Sequence, residues 1–119
     1  TRMPVHATAL GKVLLAYSPQ ELRERFLANR VQFTRYTEHT ICSPAMLRRQ
    51  LELTATQGYA IDNEECKIGH RCLAIPVLDP GSNLVAALSV SKRVTQFRDA
   101  DLDGMLKQLL LSARSLAEC

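Results

Sequence analysis

Two short runs rich in Leu, Ile and Val, Cys72 to Asp79 and Leu84 to Ser91, flank Pro80-Gly81-Ser82-Asn83, and no other stretch limits the fold so tightly. The four residues between the runs supply the dihedral angles of a tight reversal, so the pair reads as a β-hairpin. Pairing Asp79 with Leu84 sets Cys72 opposite Ser91, Ala74 opposite Ser89 and Pro76 opposite Ala87, because side chains alternate faces with period two. One face is then small and weakly polar. The other carries Leu73, Ile75 and Val77 against Leu84, Ala86, Leu88 and Val90 and needs helices laid over it. A face left to water would normally carry Lys, Glu and Thr. Small side chains and hydroxyls instead fit the floor of a pocket, or a surface that a helix or another protomer approaches closely. Tyr59 to Glu65 supplies a neighbouring strand with Ala60, Asp62 and Glu64 on one side, so Asp62 overlooks the small face.

Helical periodicity surrounds this sheet. Thr8 caps a helix whose Leu10, Val13, Leu14 and Tyr17 follow a three-four spacing, with Ala7, Ala9 and Gly11 small enough for close approach to the first-turn N–H groups. Lys12 reads as a solvated charge. Ser18-Pro19-Gln20-Glu21 combines an N-cap, a first-turn proline and a glutamate three residues after the serine, and Leu22 and Phe26 then face inward. Residues 29 to 42 show no sustained period and read as a long connection, with His39 at the surface. Ser43-Pro44 starts a third helix with Leu47, Leu51, Thr54 and Ala55 inward and Gly58 at the left-handed end. Acids at Asp99 and Asp101 suit the start of a last helix, whose Leu102, Met105, Leu106, Leu109, Ala113, Leu116 and Ala117 keep one apolar face.

At 119 residues the chain is one domain or a piece of one. The net charge of +3 is mild and its basic residues lie among acidic ones, which argues against a nucleic-acid groove. No apolar run is long enough to span a bilayer and no leader pattern opens the chain, so a cytoplasmic location is expected. The four cysteines, Cys42, Cys66, Cys72 and Cys119, form no evident disulfide framework. A start at Thr1, directly before a helical pattern, reads as a fragment of something longer. A sheet of three strands would then leave an edge for missing sequence, a loop or a partner to cover.

Cys66, His70 and Cys72 have the side chains that bind zinc, but C-x3-H-x-C is not a finger spacing and a fourth ligand would have to come from elsewhere, so no metal is expected. Cys72 with His70 would make a cysteine-dependent hydrolase or redox domain, an enzyme alternative without an evident oxyanion site. Asp62-Asn63-Glu64-Glu65 alone reads as a solvated charge run. A third reading is a structural oligomerisation module whose small face is filled.

Taken together, PVHATALGKVLLA, the later HTI, GYAIDNEE followed by IGHRCLAIPVLD, and the closing LVAALSVS resemble the effector-binding domain of the IclR family of bacterial transcriptional regulators. The resemblance covers nearly the whole chain in one register. It implies an α/β (α+β) domain, an antiparallel sheet flanked by helices and similar to GAF and profilin-like folds, with residues 1–119 as its carboxy-terminal portion. The opening helix and strands of that domain, and the winged helix-turn-helix that binds DNA, would be absent. It further implies a non-enzymatic sensor without a cofactor, assembled as a homodimer or tetramer, that binds a small carboxylate such as an organic or sugar-derived acid. DNA would be met only through the missing amino-terminal domain. The backbone at Ala9 and Leu10 would hold the anionic end of the effector, Leu10 narrowing the pocket where such regulators often have a smaller residue. Asp62, Cys72, Ser89 and Ser91 would supply polar side chains. An ionised Asp62 would repel a carboxylate and so face a hydroxyl at the far end of the ligand.

Overall fold

The computed structural model describes residues 5–28 and 33–117. Pro4, the first part of the long connection at residues 29–32, the side chains of Leu116 and Ala117 and the thiol of Cys119 lie outside the described residues. Three strands, β1 (Ala60–Asn63), β2 (His70–Leu78) and β3 (Leu84–Arg93), form one antiparallel sheet in the order β1-β2-β3. The α+β class is as expected, while both hairpin strands extend beyond the apolar runs, β2 beginning at His70 and β3 continuing to Arg93.

Cys72 pairs with Ser91, Ala74 with Ser89 and Pro76 with Ala87, as alternation requires. The tip differs from the sequence expectation. Leu78, not Asp79, pairs with Leu84, and the register shifts between Val77 and Leu78, leaving Val85 as the extra residue of a bulge. Asp79 is used in the turn instead: its Oδ1 accepts the Asn83 N–H at 2.9 Å and its own N–H donates to the Asn83 carbonyl at 2.9 Å. Leu84 therefore falls opposite Leu78, off the apolar face on which simple alternation had put it.

Helix α1 (Ala9–Ala16) lies on the small face, where Ala9, Val13, Ala60 and Ala74 make a buried cluster flanked by Tyr17, Cys72 and Ala87. Close approach by a helix is thus what Ala60 and Ala74 permit. The inward side of α1 differs from the three-four reading: Ala9, Gly11, Lys12, Val13, Leu15 and Ala16 are buried, whereas Leu14 is exposed. Helix α2 (Gln20–Ala28) buries Leu27 and leaves Leu22 exposed, with Phe26 only packed against the core. The Ser18 hydroxyl donates to the Leu15 carbonyl at 2.7 Å, closing the end of α1.

Helix α3 (Pro44–Gln57) has the expected limits, Ser43 as N-cap and Gly58 at φ 86°, a conformation that glycine adopts without a Cβ penalty. Leu47, Leu51 and Thr54 are buried, and Ala55 is exposed. Leu47 and Leu51 join Leu15, Ala16, Leu27, Phe33 and Ile41 in a core between the first three helices. On the opposite face of the sheet, helix α4 (Leu102–Ala117) sets Met105 against Leu73 and Phe97, with Leu102, Leu106 and Leu109 alongside. A 3-10 turn over Asp99–Asp101 precedes it, and Asp101 accepts the Arg98 N–H at 2.9 Å.

Candidate functional site

The sheet register gathers the polar residues of the small face. Asp62 pairs with Cys72 and Cys72 with Ser91, so the three form a single rung across all strands; the next rung is Ala60, Ala74 and Ser89. Directly opposite residues hold their Cβ atoms about 4.5–5.5 Å apart, close enough to share one small ligand. The Cys72 thiol donates to the Ser91 hydroxyl at 3.3 Å. Asp62 is buried, Cys72 half-buried, and Ser89 and Ser91 exposed, so the rung runs from a closed end at β1 to an open ledge at β3.

Helix α1 starts beside this ledge, because Ala9 belongs to the cluster that Cys72 and Ala87 flank. Thr8 caps it, its hydroxyl accepting the Gly11 N–H at 3.0 Å, and the Lys12 N–H donates to the Thr8 carbonyl at 3.1 Å. The first-turn N–H groups of Ala9 and Leu10 remain without an acceptor among the described residues. Such groups, at the positive end of a helix dipole, favour an anion.

Lys12 is fully buried, contrary to its reading as a solvated charge. Its ammonium group lies 2.7 Å from Glu65 Oε1 and donates to the Ile61 carbonyl at 2.8 Å, fastening α1 to β1 and to the turn that follows. Glu65 is likewise buried rather than part of a solvated run, and its Oε2 accepts the Asn63 N–H at 2.9 Å. Asp62 Oδ1 accepts the Glu65 N–H at 2.8 Å. Two threonines of the long connection brace the same turn: the Thr37 hydroxyl donates to the Glu64 carbonyl at 2.6 Å and that of Thr40 to the Glu65 carbonyl at 2.5 Å.

Burial is the main force that raises the Asp62 carboxyl above its ordinary 3.8; the Glu65 N–H opposes the rise, the Glu65 carboxylate adds to it and Lys12 opposes it. Burial also pushes the Cys72 thiol up, against the pull of the Ser91 hydroxyl, and raises that of Cys66. Among the described residues no three His, Cys, Asp or Glu side chains gather as an ion site. A groove of about 380 Å³ between Pro76, Val77 and Leu78 and the α4 residues Lys107, Leu110 and Leu111 is separate from the rung.

The family profile described as "Bacterial transcriptional regulator IclR C-terminal" matches residues 1–118. This chain belongs to the IclR family. The HTH-type transcriptional regulator KdgR of Dickeya chrysanthemi is 40% identical over 117 residues, which cover 98% of this chain and 38% of that protein. The chain spans less than half the length of the curated relatives it matches. Its fold superimposes on the C-terminal domain of the E. coli transcriptional regulator KdgR with a TM-score of 0.86 at 35% identity, covering 99% of this chain and 71% of that one. It also resembles the inducer-binding domain of a double mutant of the Acinetobacter transcription factor PobR, solved with 3-hydroxybenzoic acid, with a TM-score of 0.88 at 27% identity over 98% of this chain and 67% of that one.

As an IclR-family effector-binding domain, the chain brings Ala9, Asp62, Cys72, Ser89 and Ser91 to one side of its sheet, with Leu10 beside Ala9 on α1 and only half-buried. Sequence reasoning missed the Lys12–Glu65 pair and the two threonines beneath it. One signal for the pair was present: Lys12 is the only charged residue in ALGKVLLA, so burying the helix on most sides buries it as well.

Proposed function

We propose that this domain senses a small organic or sugar-derived acid, and that occupancy of its ledge changes the DNA affinity of a winged helix-turn-helix carried elsewhere in the same protein. The observation that carries this reading is the Asp62–Cys72–Ser91 rung beside a helix start with two N–H donors that have no acceptor among the described residues. The N–H groups of Ala9 and Leu10 hold the carboxylate. The hydroxyls of Ser89 and Ser91 can donate to oxygen without bringing an opposing charge, and Cys72 and Asp62 contact the remainder of the ligand. The ligand shifts DNA binding by the difference in its affinity for the two states of the regulator, and no more. In this reading residues 1–119 are a portion of the effector domain, in keeping with the 71% of the KdgR C-terminal domain that they cover. A homodimer or tetramer in the cytoplasm, meeting DNA through its other domain, completes the proposal.

The enzyme alternative finds less support. The Cys72 thiol donates to Ser91, and its burial favours the protonated, unreactive form. Calorimetry on the full-length protein with paired ligands, each an acid and its uncharged amide, tests the sensor reading. Every acid that binds should do so at least tenfold more tightly than its amide, about 1.4 kcal/mol. Equal affinities would remove the helix start from the site, and turnover of either compound would replace the sensor with an enzyme.

A further inference from the structure

The closed end of the rung holds three buried charged side chains and one cation among them. Lys12 is 0% exposed, Asp62 3% and Glu65 7%, so none of them is neutralised by bulk water. The ammonium of Lys12 contacts Glu65 Oε1 and the Ile61 carbonyl. Glu65 thereby has a cation and a backbone N–H on its two oxygens, while Asp62 is faced by the backbone N–H groups of Glu65 and Cys66 and, among the described residues, has no cation in contact. The titratable groups facing Asp62 are Lys12 from α1, Glu65 and Cys66 from the turn after β1, and Cys72 from β2. With Asp62 neutral, Lys12 and Glu65 balance. With Asp62 ionised, the cluster is already one negative charge in excess before any ligand arrives.

An anionic effector on the adjacent ledge adds a second negative charge beside this buried cluster. Two carboxylates close together in one site do not both stay ionised when one of them can take a proton. We propose that binding of a carboxylate effector is coupled to uptake of one proton by Asp62, which then donates to the ligand as a neutral acid. This rests on the effector reading above and deepens it. The burial that already raises Asp62 in the free protein works in the same direction. The proton comes from solvent and no other bond is made or broken. Asp62 is in this view a specificity residue: its acid form admits an anion, and its ionised form excludes one.

The sign of the pH dependence follows. Below the Asp62 midpoint, and above the ligand's own, affinity is flat because the proton is already in place. Above the midpoint, affinity falls about tenfold per pH unit, since each binding event must draw a proton from an increasingly scarce supply. Titration calorimetry on the full-length protein with glycolate, D-gluconate and 3-hydroxybenzoate, each in phosphate and in Tris at the same alkaline pH, reads the proton count from the change in apparent enthalpy with buffer. Uptake of about one proton per probe bound, lost in Asp62→Asn, is the expected result. Binding to the wild-type protein without uptake, or equal uptake in Asp62→Asn, overturns the proposal and leaves the effector reading standing. Failure of all three probes to bind either protein at millimolar concentration removes the effector reading and this proposal together. The wild-type measurement decides the matter alone if Asp62→Asn does not fold.

Discussion

Each face of the sheet is covered by one helix, and the two are attached by opposite means. Helix α1 has eight residues, of which six are buried, and a charged one sits at its centre. Helix α4 has sixteen, yet among its described side chains only Met105 is buried, and Leu110 and Leu111 stand exposed. Arg71 brings a charge to the α4 side as well: its mostly buried guanidinium lies 4.7 Å from the ring centre of Phe97, with Nη1 donating to the Phe97 carbonyl at 2.9 Å and Nη2 3.2 Å from Asp99. Length therefore does not decide how firmly a helix is held. Alanine and glycine let α1 come close to the strands, and the Lys12–Glu65 pair makes its position specific. The α4 face is held mainly by apolar area around Leu73, Phe97 and Met105, with Arg71 closing over Phe97.

The sharpest way to break this contrast is Lys12→Ala, which leaves Glu65 buried without its cation and should cost about 3–5 kcal/mol in urea denaturation of the full-length protein. Adding Glu65→Gln should recover part of the loss, because the uncompensated carboxylate is then gone. No recovery would mean that Lys12 acts by filling space.

Leu73→Ala is the counterpart on the α4 side. Leu73 is fully buried against Phe97 and Met105, so the cavity should cost about 2–5 kcal/mol, at the low end if α4 can settle inward as its exposure implies. A loss larger than that of Lys12→Ala would show the α4 face to be the more tightly packed.

Smaller again, Thr8→Ala removes the side-chain cap on the Gly11 N–H and should cost about 1 kcal/mol. Its value lies in direction: it frees a third donor at the start of α1 while leaving the Lys12 pair intact, so thermal unfolding should shift modestly and carboxylate binding should change more than stability does.

What the sequence revealed depended on how far each feature is decided locally. The rungs Cys72–Ser91 and Ala74–Ser89 were legible because period-two alternation and a turn-forming tetrapeptide constrain the same pairing from two sides. The limits of α3 were legible for a similar reason, Ser43 and Gly58 marking its ends. The buried side of α1 was not, since ALGKVLLA is apolar nearly all round and its period carries little direction. Burial of Lys12 is decided by Glu65, far along the chain, and no window around residue 12 contains that partner. Likewise, the Asp79–Leu84 pairing failed because the Asp79 side chain caps the turn, a choice that alternation does not register.

The bulge at Val77/Leu78 bears on how chains of this kind can diverge. Inserting one residue directly after Ala86 would exchange the two faces of the rest of β3, sending Ser89 and Ser91 toward α4 and Leu88 and Val90 toward the ledge. Between 79 and 85 the parity has already been reset once, and the strand beyond it keeps its alternation. Insertions and deletions among descendants of a common ancestor should therefore collect in this turn, where the length of the chain can drift while the chemistry of the ledge is inherited unchanged.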